Sequence, residues 1–117
     1  MRIVRKFGDM RHSVRGIRTV WREEWHFKYQ ILFALFAVTL AYCASATPTQ
    51  LVLLVSALLI TLASEIINTA IEDVCNFIQP GHDPRIGAIK DMAQAFVLVS
   101  ALPSLLMFLW IIIPAIV

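Results

Sequence analysis

A chain of 117 residues has room for one domain, and with 59% hydrophobic and only 15% charged residues it is excluded from the ordinary soluble class. The net charge of +2 hides an asymmetry, because eight of the ten basic residues fall within residues 1–28 and the other two are Arg85 and Lys90. A nucleic-acid role would need that basic region free in solution, and the apolar blocks that follow it speak against this.

Residues 1–25 carry apolar side chains at Ile3, Phe7, Met10, Val14, Ile17 and Trp21, with Trp25 continuing the stripe, while Arg11, Arg15, Arg18 and Arg22 follow one position later. This spacing predicts an amphipathic helix, placed at 1–28, with an arginine edge suited to the interface of an anionic membrane. The same stripe is also compatible with packing on other helices of the protein. Trp21, Trp25 and Tyr29 form an aromatic belt where the chain enters the membrane. Glu23 and Glu24 interrupt the basic region, and on pattern alone they are solvated charges. Their depth nevertheless matches that of Glu72, and one carboxylate from each of two helices is the minimum for holding a hydrated divalent ion.

From Tyr29 to Ser64 there is no charge, but Ala46-Thr47-Pro48-Thr49-Gln50 breaks the run, since proline ends one helix and opens the next. Transmembrane helices are therefore expected at 29–46 and 50–76. Ala44-Ser45-Ala46 has the form of a signal-peptidase site, yet the 28 residues ahead of the first span are too long and too regularly amphipathic for an ordinary leader. In the second span, Leu51 to Ala63 is uncharged, and a helix running from Leu51 to Glu72 is about 33 Å long, a bilayer's thickness. Glu65 then lies within or just below hydrocarbon depth, and Glu65, Asn68 and Glu72, spaced i, i+3, i+7, share one helix face with Asp73 beside it. An intramembrane carboxylate is costly, so it marks a functional site facing protein or water.

Phe77 to Pro84 contains Pro80, Gly81 and Pro84 and reads as a turn, where His82 is an unremarkable loop histidine. Lys90 and Asp91 open the third span, 91–115, with Gln94 on the face of Asp91. Basic residues stay on the cytoplasmic side, so the N-terminus and the 77–91 loop are expected there, which gathers Glu24, Glu72, Lys90 and Asp91 at one membrane surface. Cys43 and Cys75 fall near opposite surfaces, which rules out an intrachain disulfide. Three spans alone enclose Glu65 poorly, so an oligomer is expected, with small residues such as Ala63, Ser64, Thr69 and Ala70 at helix contacts. No P-loop, GxGxxG, HExxH, GxSxG or CxxC pattern occurs. Any chemistry falls to carboxylates, Asn68 and basic residues at a membrane surface.

The segment Glu65-Ile66-Ile67-Asn68-Thr69-Ala70-Ile71-Glu72 resembles the signature E-[IL]-[IL]-N-[ST]-A-[IL]-E of the prokaryotic diacylglycerol kinase family, which includes the undecaprenol kinases. Ile89-Lys90-Asp91-Met92 is similar to its A-K-D stretch, and Gly16-Ile17-Arg18, Trp21, Glu24, Phe27 and Lys28 to its upstream G-[LI]-[RK]…W…E…F-[RK] pattern. The resemblance spans nearly the whole chain. It implies an all-α membrane protein, a surface helix followed by three transmembrane helices in a homotrimer, in the bacterial inner membrane with its active sites at the cytoplasmic face. It further implies a magnesium-dependent kinase that transfers the ATP γ-phosphoryl group to a lipid hydroxyl, of diacylglycerol or undecaprenol. In that scheme Glu65 is the general base, Glu24 and Glu72 bind magnesium, Asn68 positions substrate or base, and Arg5, Lys90 and Asp91 contact nucleotide. The chain departs from the family at Asn76, where Asp is common, and at Gln94, where a small residue is usual. A non-enzyme alternative treats the carboxylates as an ion path or as polar contacts that hold partner helices together.

Overall fold

The computed structural model describes residues 2–117, with side chains from residue 9 onward. It comprises four helices: α1 Arg2–Glu23, α2 Trp25–Cys43, α3 Pro48–Ile78 and α4 Pro84–Ile116. No strand occurs among the described residues. The last three helices are long and apolar enough to cross a membrane. They run up, down and up, α4 packing chiefly on α3.

Local chemistry explains each boundary. Between α1 and α2 the chain extends for one residue, Glu24, with φ −108° and ψ 106°. The expected surface helix thus ends at Glu23, and Trp25 begins α2 instead of prolonging the stripe of α1. Glu24 is thereby placed at a bend between two helices, half-buried where a solvated charge was expected on pattern alone. At the next corner Ser45 adopts φ 63°, and Thr47 caps α3 through a reciprocal pair: its hydroxyl accepts from Gln50 N at 3.1 Å while Gln50 Oε1 accepts from Thr47 N at 2.9 Å. Pro48 follows at the first helical position, where its missing N–H costs nothing.

The last helix starts earlier than the expected span. Asp83 accepts from Arg85 N at 2.9 Å and Pro84 occupies the first turn, so the helix runs ahead of the membrane span and the turn is confined to residues 79–83. Pro103 stands inside α4 and deprives one carbonyl of its partner. Near it the Thr61 hydroxyl is shared between Ala57 O at 3.2 Å and Ser100 O at 3.1 Å, a tie from α3 to α4 of the kind that membrane helices use around proline.

The apolar core lies at one end, where Ala41, Leu54 and Ile111 are buried together with Val38, Met107 and Phe108 packed around them. At the other end Val20, Phe27, Ala93 and Val97 are buried, and so are four polar side chains of α3: Ser64, Glu65, Asn68 and Thr69. Of the small residues expected at helix contacts, Ser64 and Thr69 are buried within the chain while Ala63 and Ala70 face outward. Cys43 and Cys75 are both free thiols. Rows of exposed large apolar residues, among them Phe33, Leu106 and Leu98, cover the helices in the manner of a surface that meets lipid or other helices rather than water.

A candidate active site at the polar end of the bundle

The i, i+3, i+7 spacing in α3 does what helix geometry requires: Glu65, Asn68 and Glu72 line one cavity of about 590 Å³. Glu24 joins them from the α1–α2 bend, and Gln94 closes the cavity from α4. The remaining wall comes from the first turns of α2 as His26, Tyr29, Gln30 and Phe33. Three carboxylates thus face one space whose lining, among the described residues, contains no lysine or arginine.

Electrostatics follow from that arrangement. Partial burial pushes the Glu24 carboxyl above its ordinary range, the Glu72 carboxylate pushes it the same way, and Glu65 and Asp73 add to this while His26 opposes it. Glu23, just outside, is raised as well, because Asp73 across from it both hydrogen-bonds to it and repels its charge. Such a set of crowded anionic oxygens favours a cation between them.

Among the described residues no three His, Cys, Asp or Glu side chains converge as a metal cage. The pair Glu24 and Glu72 nevertheless fits one particular metal. Magnesium is held by one or two carboxylates plus phosphate oxygens and water, and both are hard oxygen donors lining the one cavity.

Two residues that the sequence did not single out stand next to Glu65. Gln30 Nε2 donates to Glu65 Oε1 at 2.6 Å, joining α2 to α3, and Phe33 lies beside it on the same wall. The only available signal for Gln30 was an amide in an otherwise apolar span. Two buried acceptors, Gln30 Oε1 and Asn68 Oδ1, have no hydrogen-bond donor among the described residues.

Lys90 and Asp91 do not line the cavity. Lys90 Nζ instead donates to Asn76 Oδ1 at 2.6 Å. Asn76 is one turn beyond Glu72 on α3, and Lys90 one turn before Gln94 on the antiparallel α4, so this pair stands a turn further out than the cavity's carboxylates. Asp91 is exposed beside it, and the side chain of Arg5 lies outside the described residues.

A second space adjoins the first. A groove of about 490 Å³ runs between α2 and α4 over α3, floored by Leu54, Leu58 and Leu62 and walled by Phe36, Leu105 and Phe108. It meets the polar cavity at Gln30 and Phe33, which line both.

Comparison with known proteins agrees with the geometry. Residues 11–112 match the family model for prokaryotic diacylglycerol kinase. The diacylglycerol kinase of Escherichia coli K12 is 30% identical over 105 residues, covering 90% of this chain and 84% of that protein. That of Helicobacter pylori 26695 is 30% identical over 78% of this chain and 71% of its own, and that of Haemophilus influenzae Rd is 24% identical over 77% and 76%. A signature-bearing α3, three helices fit to cross a membrane and a match over most of the sequence lead to one conclusion: the chain belongs to the prokaryotic diacylglycerol kinase family, a family of membrane lipid kinases.

Proposed function

We propose that the protein transfers the ATP γ-phosphoryl group to the hydroxyl of diacylglycerol, giving phosphatidic acid, in a magnesium-dependent reaction at the Glu24–Glu65–Glu72 cavity. The observation that carries this reading is the placement of a buried carboxylate, Glu65, at the junction of an apolar groove with an acidic cavity lined by Glu24 and Glu72. The groove admits the apolar body of a lipid from the bilayer, and its hydroxyl then arrives beside Glu65. Phosphoryl transfer asks a protein mainly for positioning, charge stabilisation and a group to receive the hydroxyl proton. Glu65 takes that proton as the hydroxyl oxygen bonds to the γ-phosphorus and the bridging bond to the β-phosphate breaks, releasing ADP.

Glu24 and Glu72 would hold the magnesium, which when bound supplies positive charge against the phosphate oxygens. Asn68, with a buried acceptor and a place between Glu65 and Glu72, orients the reacting groups. Lys90 and Asp91, a turn further out, sit where the more polar part of a nucleotide would extend, and Arg5 is assigned to the same nucleotide. The active protein is a homotrimer in the cell membrane with its N-terminus and its sites at the cytoplasmic face, and α1 lies along that face. Supporting this, Met10, Val14, Ile17 and Trp21 on α1 are exposed together, with Arg11, Arg15 and Arg18 beside them.

Undecaprenol offers the same chemistry of a lipid hydroxyl at the interface. Incubation of the purified protein with labelled ATP, magnesium and either lipid in mixed micelles tests the reading. Label is expected in phosphatidic acid; label in undecaprenyl phosphate alone would reassign the acceptor, and label in neither would remove the kinase assignment.

A further inference from the structure

Glu65 is only 9% exposed, and among the described residues no lysine or arginine lines its cavity and no ion pair holds its carboxylate. The side-chain hydrogen bond it receives is the 2.6 Å one from Gln30. That bond leaves Gln30 Oε1 buried without a donor among the described residues. An unpaired buried acceptor is costly, and turning the amide over would set Oε1 against a carboxylate oxygen, two acceptors in contact. The orientation that serves Glu65 is thus kept at the expense of Gln30's own hydrogen bonding. Gln30 also stands at the junction of the apolar groove and the polar cavity, the place a lipid hydroxyl must pass.

We infer that Gln30 is a positioning residue for the Glu65 carboxylate: its amide N–H holds Oε1, so that Oε2 is the oxygen presented to the acceptor hydroxyl. Gln30 itself touches neither nucleotide nor the transferred group. The inference rests on Glu65 being the base, and its test separates the two.

Five variants are compared in the full-length protein: Gln30→Met, which keeps length and removes the donor; Gln30→Leu, which removes it with a different shape; Gln30→His, which restores an N–H; Glu65→Gln; and Glu65→Gln combined with Gln30→Met. Loss of positioning by a fraction of a bond length lowers turnover by about 10- to 100-fold. We expect kcat to fall by that much in both Gln30→Met and Gln30→Leu, with the KM for ATP-magnesium within about twofold of the parent, and to recover in part in Gln30→His. In the Glu65→Gln background, Gln30→Met should cause no further loss, because the group it orients is no longer a base. Full kcat in Gln30→Met while Glu65→Gln is inactive would overturn the role of Gln30 and leave the base assignment standing. So would multiplicative losses in the double variant, or deficits that track melting temperature across the Gln30 series instead of the presence of a donor. An active Glu65→Gln would overturn the base assignment itself.

Discussion

At the level of single residues, Glu65 and Glu72 share a helix face and yet the proposed function assigns them different tasks. Glu65 is buried, hydrogen-bonded to an amide and adjacent to the apolar groove, whereas Glu72 is half-buried and electrostatically coupled to Glu24 across the cavity. Changing Glu65 to Gln keeps size and hydrogen bonding but removes the proposed base, so turnover should fall by roughly 10²- to 10⁴-fold with ATP-magnesium affinity nearly unchanged. Glu72→Gln removes a hard anionic ligand and should shift the magnesium dependence to higher concentration. Turnover and magnesium titrations on both variants check this, and a single magnesium-rescuable defect common to both would undo the division of roles. The two residues were legible from the sequence because charge in an apolar helix is conspicuous and 3.6-residue periodicity fixes which charges share a face. Gln30 was not, because a neutral amide barely alters the apolar character of a span and its partner is 35 residues away. Lys90 and Asp91 were legible as a motif, but only the antiparallel pairing of α3 and α4 shows that Lys90 meets Asn76 a turn outside the cavity.

Among the helices, three membrane-crossing elements were evident from uncharged runs and the proline-bearing break, while their ends were not. The start of α4 was masked because Pro80, Gly81 and Pro84 together read as one turn, although Asp83-Pro84 is itself a helix-start signal, a capping side chain followed by proline at the first position. The opposite corner offers a clean test of how far the two ends of the bundle are independent. Thr47 closes a reciprocal cap at the end of α3 remote from Glu65, beside the Ala41–Leu54–Ile111 core. Thr47→Ala should lower unfolding free energy by about 1 kcal/mol, the usual cost of losing such a cap, while leaving kcat and the KM for ATP-magnesium unaltered. Denaturation in micelles alongside steady-state kinetics measures both. A loss of activity without a loss of stability would mean that the corner communicates with the site.

For the molecule as a whole, a single chain covers its polar and apolar groups unevenly. Glu65 is buried, but Glu24 is only half-buried and large apolar side chains on every membrane helix are exposed. Lipid satisfies an apolar surface, but it cannot satisfy carboxylates near hydrocarbon depth, which must face protein or water. On α3, Ala63, Ile67, Ala70 and Val74 lie on one outward face, small and branched apolar residues at alternating steps of four and three, a surface on which another helix can approach closely. The expected homotrimer would use such a face, which lies on the side of α3 turned away from Glu65, Asn68 and Glu72. Replacing Ala70 by Leu or Phe enlarges that face without touching Glu24, Glu65 or Glu72. If the face is an assembly surface, crosslinking in detergent should give trimer for the parent chain and a shift toward smaller species for Ala70→Phe. Turnover should fall in proportion to the trimer lost. Activity retained by a preparation that crosslinks only as monomer would show instead that one chain completes its own site, and that the outward face of α3 meets nothing but lipid.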